Sequence, residues 1–449
     1  MSTPAPARDA PATPLQRFAA RAFGIDPALG EPVVAGFTLF FLLFAGYFML
    51  RPVRETMGIA GGVENLQWLF TATFVLTLAA MPLFGWLAAH VPRRTILAWT
   101  YAFFATNLLA FALAFALAPQ NLWFPRGFYV WLSMFNLVAI SVAWSVMADV
   151  FSPGQAKRGF ALVAAGASFG GLAGPVAGVL LVGIVGHAGL LVLSAALLLA
   201  AIAAAQRVRR WRERHPVAGV DPAAATLRLG GSPFAGARDV LRSPYLLGIA
   251  LFVLLLASVT TFLYFEQARL VEAKFPDRVD QTRVFGTIDI IVQVLTIFAQ
   301  LFITGRVAQR LGVGVLLTAV PLVVVAGFLW LAFAPVFAVL AVVMVVRRAG
   351  EYAFVRPGRE MLYPILPPDA KYRAKNFIDT VVYRGADAVS GWAKALIDLV
   401  AQQPAVAAVI GAALALAWAG TGAALGRANT RATAALEARA GGPSATREA

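Results

Sequence analysis

Two clusters of ionised side chains interrupt apolar sequence in the last third of the chain. The first is Arg347-Arg348 with Glu351 one helical turn on. The second is Lys375, Asp379, Tyr383 and Asp387, spaced every four residues, with Arg384 beside Tyr383. Four-residue spacing puts the second set on one face of a helix. Charge inside a hydrocarbon layer is costly and is usually kept for function. At 1.5 Å per residue from Val336, Arg347 lies about 17 Å in, near mid-bilayer. A guanidinium offers a planar fork of donors that suits carboxylate or phosphate. The chemistry on offer is electrostatic: arginines to hold an anion, carboxylates as counter-charges or proton carriers. A packed salt-bridge ladder is the plainer reading of the second cluster.

A third cluster closes the first apolar run, as Leu50-Arg51-Pro52-Val53-Arg54-Glu55. Arg51 and Glu55 are spaced to pair along a helix, and Pro52 to kink it. Either they form a cationic mouth, or they snorkel to the interface. Asp289 and Gln293 make a similar polar turn further on. The candidate anion partners are therefore Arg51, Arg54, Arg347, Arg348 and Arg384, with Tyr383. The candidate counter-charges or proton carriers are Glu55, Asp289, Glu351, Asp379 and Asp387. Arg93, Arg94, Asp149, Lys157, Arg158 and Arg310 stand at helix ends on one side, where gating salt bridges are expected.

Composition sets the surroundings of these groups. The 449 residues are 60% hydrophobic and only 13% charged, with no cysteine. Mean hydropathy is +0.76. A soluble domain is nearer a quarter charged. The apolar runs are continuous rather than alternating, which points to membrane helices and not a barrel. Disulfides and thiolate metal sites are excluded. The net charge of +15 would suggest nucleic acid in a soluble protein. Here the positives read as topology determinants, and no nucleic-acid partner is expected. No phosphate-binding GxxxxGK[ST] loop is present. The three histidines, His90, His187 and His215, sit at loops or helix ends, away from any nucleophile that could complete a triad. No enzymatic activity, catalytic residue, metal or cofactor is expected.

About twelve apolar runs reach spanning length: 33–54, 66–88, 95–118, 127–150, 159–183, 187–207, 245–267, 284–304, 312–334, 336–355, 375–400 and 405–425. The sequence divides into a tail (1–32) with a short interfacial helix, a six-helix half (33–207), a polar linker (208–243), a second six-helix half (244–426) and a tail (427–449). Of the 37 Lys and Arg, 26 fall on the N-terminal side, 7 on the other and 4 within the spans. Both termini are therefore expected in the cytoplasm of a multi-pass bacterial inner-membrane protein. The halves repeat. Tyr47-Phe48 with Glu55 is echoed by Tyr264-Phe265 with Glu272.

Gly85-Trp-Leu-Ala-Ala-His-Val-Pro-Arg93-Arg94 and Gly305-Arg-Val-Ala-Gln-Arg310-Leu-Gly312 follow corresponding spans. Both resemble the GxLADRxGRRxxL loop motif of the major facilitator superfamily, with Ala89 and Pro92 departing from it. Gly166, Gly170, Gly174, Pro175 and Gly178 resemble that superfamily's GxxxGPxxG antiporter motif; ordinary small-residue packing is the other reading. The resemblance implies twelve helices in two pseudo-symmetric halves, an all-α membrane protein that is a monomer by default. More narrowly, Tyr47-Phe-Met-Leu-Arg51-Pro-Val-Arg54-Glu55-Thr resembles the first-helix pattern of the nucleotide transporter family, the ATP/ADP antiporters. Gly62-Val-Glu64 is similar to a turn that follows there. Arg359-Glu360-Met361-Leu-Tyr363, Lys371, Ala374-Lys375 and Ile378-Asp379 are similar to that family's KEMxYIPL run. That resemblance implies nucleotide exchange, with Arg54 in the place of a phosphate-contacting residue and Glu64 and Asp379 at acidic positions. At Asp387 the family tends to carry a basic residue.

The expected function is alternating-access transport of a small organic anion, with a nucleotide or phosphorylated metabolite leading. Two other readings stay open: proton-coupled export of drugs or siderophore-like compounds, and a non-transporting membrane protein that binds a lipid or partner.

Overall fold

The computed structural model describes residues 29–91, 93–148, 153–215, 234, 236–401 and 403–440. The expected N-terminal interfacial helix and most of the polar linker lie outside them. Within them, eight helices are long and apolar enough to cross a membrane. Two of the eight are doubled. The helix Pro153–Arg214 runs through Gly186 (φ 67°), and the helical run 278–333 runs through Gly312 (φ 78°). Both glycines adopt a left-handed conformation that side-chain-bearing residues rarely take, so each separates two membrane passes. The helical runs 337–360 and 368–401 bring the total to twelve passes. Their charges keep them outside a purely apolar criterion.

The passes are α1 (Gly30–Ala60), α2 (Leu66–His90), α3 (Arg93–Leu117), α4 (Trp123–Ala148), α5 (153–185), α6 (187–214), α7 (Pro244–Lys274), α8 (278–311), α9 (313–333), α10 (337–360), α11 (368–401) and α12 (Pro404–Ala440). The side on which α1 begins and α12 ends is called the near face here, and the other the far face.

Each half has its own core. Leu39, Leu43, Tyr101, Phe128 and Phe135 are fully buried in the first; Phe252, Leu317, Tyr363 and Trp418 in the second. A smaller third cluster belongs to the seam between them, with Ile59, Leu66, Leu69 and Tyr129 meeting Phe265, Val271 and Phe285. All of these seam residues lie toward the far-face ends of their helices. The halves are therefore closed together at the far face.

The glycine series of α5 has a steric purpose. A Cβ at Gly166, Gly170 or Gly174 would collide with the backbone carbonyls of Phe37, Phe41 and Ala45 on α1. Only glycine lets the two helices approach this closely.

Three π turns widen the second half: Gln300–Thr304 in α8, Glu351–Val355 in α10 and Ile378–Val382 in α11. A π turn frees carbonyls from the regular ladder and is frequent at functional sites. Neighbouring side chains satisfy those of α10. Gln300 donates to the Tyr352 carbonyl at 3.2 Å, and Thr304 to that of Ala353 at 2.8 Å.

Candidate functional site

The charged turns of α1, α8, α10 and α11 converge on one cavity of about 150 Å³ between the halves. Arg51, Arg54 and Glu55 line it from α1, Asp289 from α8, Arg347, Arg348 and Glu351 from α10, and Tyr383, Arg384 and Asp387 from α11. Ten of the eleven sequence candidates for anion contact and counter-charge thus share one chamber. The eleventh, Asp379, is elsewhere. It pairs with Arg359 at 3.1 Å, and neighbouring Lys375 pairs with Glu360 at 2.6 Å. Asp379 itself lies in the π turn Ile378–Val382, which separates Lys375 from Tyr383. The turn's extra residue breaks the four-residue register that was expected to keep Lys375, Asp379, Tyr383 and Asp387 on one face. The stretch most like the nucleotide transporter pattern is thus a near-face ion-pair cluster outside the cavity.

Arg51 and Glu55 do not pair as their spacing suggests. Glu55 is held by Arg54 at 2.8 Å, and Arg51 turns instead toward Asp289, 3.9 Å away. The reason is tertiary packing: α1 continues to Ala60, so these groups stand within the span rather than at its end, and Arg51 faces Asp289 of the other half. Arg54 also donates to Ser133 at 3.2 Å and lies 4.8 Å from the Tyr129 ring centroid.

In α10, Arg347 pairs with Glu351 at 2.8 Å and donates to Thr260 at 2.9 Å. Arg348 meets Asp289 of α8 at 2.5 Å. All four of these charged groups are buried. Asp387 accepts from Thr261 at 3.2 Å and pairs with Arg384 at 3.4 Å.

Among the lining residues outside the sequence candidates, Arg356 and Tyr352 stand against the charged turns, and the apolar run 336–355 stops one residue short of Arg356. Arg356 lies 3.4 Å from Glu351, and its guanidinium stands 4.4 Å from the Tyr352 ring centroid. Residues five apart on an α-helix diverge by about 140°; the π turn Glu351–Val355 brings them together. A helix extending past Val355 was the missing signal.

At the far face the chamber is roofed by polar contacts between the halves. Thr282 of α8 is 2.7 Å from Thr56 of α1 and 2.9 Å from His187 of α6. Trp392 of α11 donates to Thr71 of α2 at 3.0 Å and meets Trp68 edge to face at 4.8 Å. Of the expected gating groups, Asp149 lies outside the described residues, as do the side chains of Arg93, Arg94, Lys157 and Arg158. Arg310 is exposed.

Six arginines and four carboxylates line the cavity, an excess of two positive charges. Such a wall can attract and orient an ion by fixed charge. Among the described residues no group of three His, Asp or Glu could hold a metal.

Residues 36–355 match the family profile described as Major Facilitator Superfamily. No curated protein matches the chain in sequence. Several solved structures resemble it in fold. A bacterial homologue of the human lysosomal transporter Spinster, inward-facing and unoccupied, is 15% identical with a TM-score of 0.55, covering 91% of this chain and 95% of that one. A mutant of the nucleoside transporter NupG is 13% identical with a TM-score of 0.58, covering 89% and 99%. The human organic anion transporter MFSD10 is 16% identical with a TM-score of 0.52, covering 87% and 99%.

Proposed function

The chain belongs to the Major Facilitator Superfamily, and from that premise we propose that it is a secondary transporter of organic anions working by alternating access. One observation carries this reading. The membrane interior holds a chamber between two separately packed halves, and its wall carries two positive charges more than negative. Anions are drawn to such a wall, and a chamber at the seam is reached from either side as the halves rock. The far side is sealed by the third hydrophobic cluster and the Thr56–Thr282 contact, which fits the state open to the near face. With the near face rich in Lys and Arg, that state faces the cytoplasm of a bacterial inner membrane.

Within the anions, a nucleotide or another phosphorylated metabolite is the leading class. The family-like residues that support it and line the chamber are Arg51 and Arg54. Strict exchange is expected, because an empty wall with surplus charge crosses the membrane poorly. The non-transporting alternative, with all charges in fixed pairs and no chamber, is disfavoured by the cavity itself. The proton-coupled alternative keeps one supporting group, Asp387, a buried carboxylate facing the chamber.

Uptake of radiolabelled ATP and ADP by intact bacteria expressing the chain, with and without an uncoupler, tests the reading. Saturable uptake that survives the uncoupler and is chased out by unlabelled nucleotide supports exchange. No uptake above the empty-vector control, in cells carrying folded protein, removes the nucleotide assignment.

A further inference from the structure

The cavity's ion pairs can be assigned one to one. Each of the four carboxylates has a nearest arginine: Glu55 takes Arg54 (2.8 Å), Asp289 takes Arg348 (2.5 Å), Glu351 takes Arg347 (2.8 Å) and Asp387 takes Arg384 (3.4 Å). Every one of these pairs lies within a single half. Two arginines remain. Arg51 reaches Asp289 only as its more distant partner, at 3.9 Å, and Arg356 reaches Glu351 in the same way, at 3.4 Å. Arg51 belongs to the first half and Arg356 to the second.

We propose that the transported solute carries two negative charges on one group, held by Arg51 and Arg356 together. This inference rests on the organic-anion reading and narrows it to dianionic head groups, of which a phosphate monoester is the type. Several observations agree. Tyr352 sits against Arg356, its ring centroid 4.4 Å from the guanidinium, and lines the same cavity as Arg51. Its hydroxyl can donate to an anion held there. Arg356 is 56% exposed at the near-face end of α10, while Arg51 is 20% exposed and further along α1 from that face. An anion arriving from the near face meets Arg356 first and Arg51 second. Because the two belong to different halves, a dianion bridging them draws the halves together at the near face. A monoanion leaves one surplus charge uncompensated in a low-dielectric chamber, which is unfavourable.

Phenyl phosphate and phenyl sulfate separate the possibilities. They are close in shape, but near pH 7.5 the phosphate is mostly doubly charged, with a second pKa of about 6, whereas the sulfate carries one charge. Their affinities for the purified full chain in detergent are measured by ligand-induced shift of thermal unfolding. The wild type is expected to bind phenyl phosphate about tenfold or more tighter than phenyl sulfate, a difference of one well-placed charge. That preference should shrink as the pH is lowered through about 6. Arg356→Gln and Arg51→Gln should each cut the preference to about threefold or less, while Arg306→Gln, outside the cavity, should keep it. If Arg51→Gln does not fold, Arg356→Gln, at a more exposed residue, decides. Equal binding of the two probes by the wild type removes the double charge and leaves the anion reading intact. A preference that persists in Arg356→Gln and Arg51→Gln removes the assignment to this pair. If neither probe binds the folded wild type, this proposal falls, and the anion reading is decided separately by the uptake assay above.

Discussion

Asp289 of α8 and Arg51 of α1 stand 3.9 Å apart across the seam, while Asp289 also holds Arg348 of its own half at 2.5 Å. One carboxylate therefore answers to arginines from both halves. The nearer pair is buried on both sides, and a buried ion is tolerated only with its partner. Arg348→Met is expected to destabilise the protein by about 3–5 kcal/mol, because Asp289 loses its close partner. Arg348→Met combined with Asp289→Leu should recover a substantial part of that loss. Thermal unfolding of the four members of this double-mutant cycle measures the coupling. Full stability in Arg348→Met with lost uptake would instead make Arg348 a solute ligand.

The far-face roof can be locked covalently. Thr56 and Thr282 place their hydroxyl oxygens 2.7 Å apart, both buried, on opposite halves. The chain has no cysteine, so an introduced pair has no competitor. Thr56→Cys with Thr282→Cys should form a disulfide under mild oxidation and stop exchange, and reductant should restore it. The single variants should transport with or without oxidant. Oxidised double variant that still exchanges at the wild-type rate would mean that this contact need not open.

Glycine serves two different ends in this fold, and substitution separates them. At Gly170 a Cβ would strike the Phe41 carbonyl, so Gly170→Ala must push α5 away from α1. At Gly186 nothing lies within 4 Å of an added Cβ, and only the φ of 67° opposes a side chain. Gly186→Ala should then cost about 1–3 kcal/mol of backbone strain, because φ 67° with ψ −178° is a conformation almost confined to glycine. Gly170→Ala should cost more, because the obstacle to the new Cβ is backbone rather than a side chain that can turn away, which puts it above the usual overpacking cost of about 1–3 kcal/mol. Thermal unfolding midpoints of the two purified variants check the order. A reversed order would mean that the α1–α5 contact yields easily.

How much of this could be read from the residues differs by feature. Continuous apolar runs and their punctuation yield the passes, because a helix in lipid must be apolar over its length. The runs 159–183 and 187–207 bracket the turn at Gly186, and the run 312–334 starts on the turn glycine Gly312 itself. The chamber was legible for one reason: charge in a greasy segment has few reasons to exist, so Arg347, Arg348, Glu351, Arg384 and Asp387 stood out. Pairing was not legible. Arg51 prefers Asp289, far away in sequence, over Glu55 on its own helix, and only tertiary packing decides that. Nor was Arg356 legible, because counting at 3.6 residues per turn cannot anticipate a π turn. Asp379 falls outside the cavity lining for a related reason: a register read as one face is broken by the π turn at Ile378–Val382.

Asp387 separates exchange from proton coupling. It is buried, and it accepts from Thr261 and pairs with Arg384. If it serves as a counter-charge only, Asp387→Asn keeps the shape of the site and adds one positive charge to the wall. Anion affinity should then rise severalfold, in line with about 1 kcal/mol for one partly screened charge. Turnover should fall by a comparable factor, since a tighter complex releases its solute more slowly. If Asp387 carries the coupling proton, the same variant should abolish accumulation driven by a pH gradient while solute-for-solute exchange continues. Proteoliposomes loaded with unlabelled nucleotide and assayed with and without an imposed pH gradient tell these apart. The expected result is exchange indifferent to the gradient in both wild type and Asp387→Asn. Gradient-driven accumulation in the wild type that vanishes in the variant would assign the proton to this carboxylate and favour proton-coupled transport.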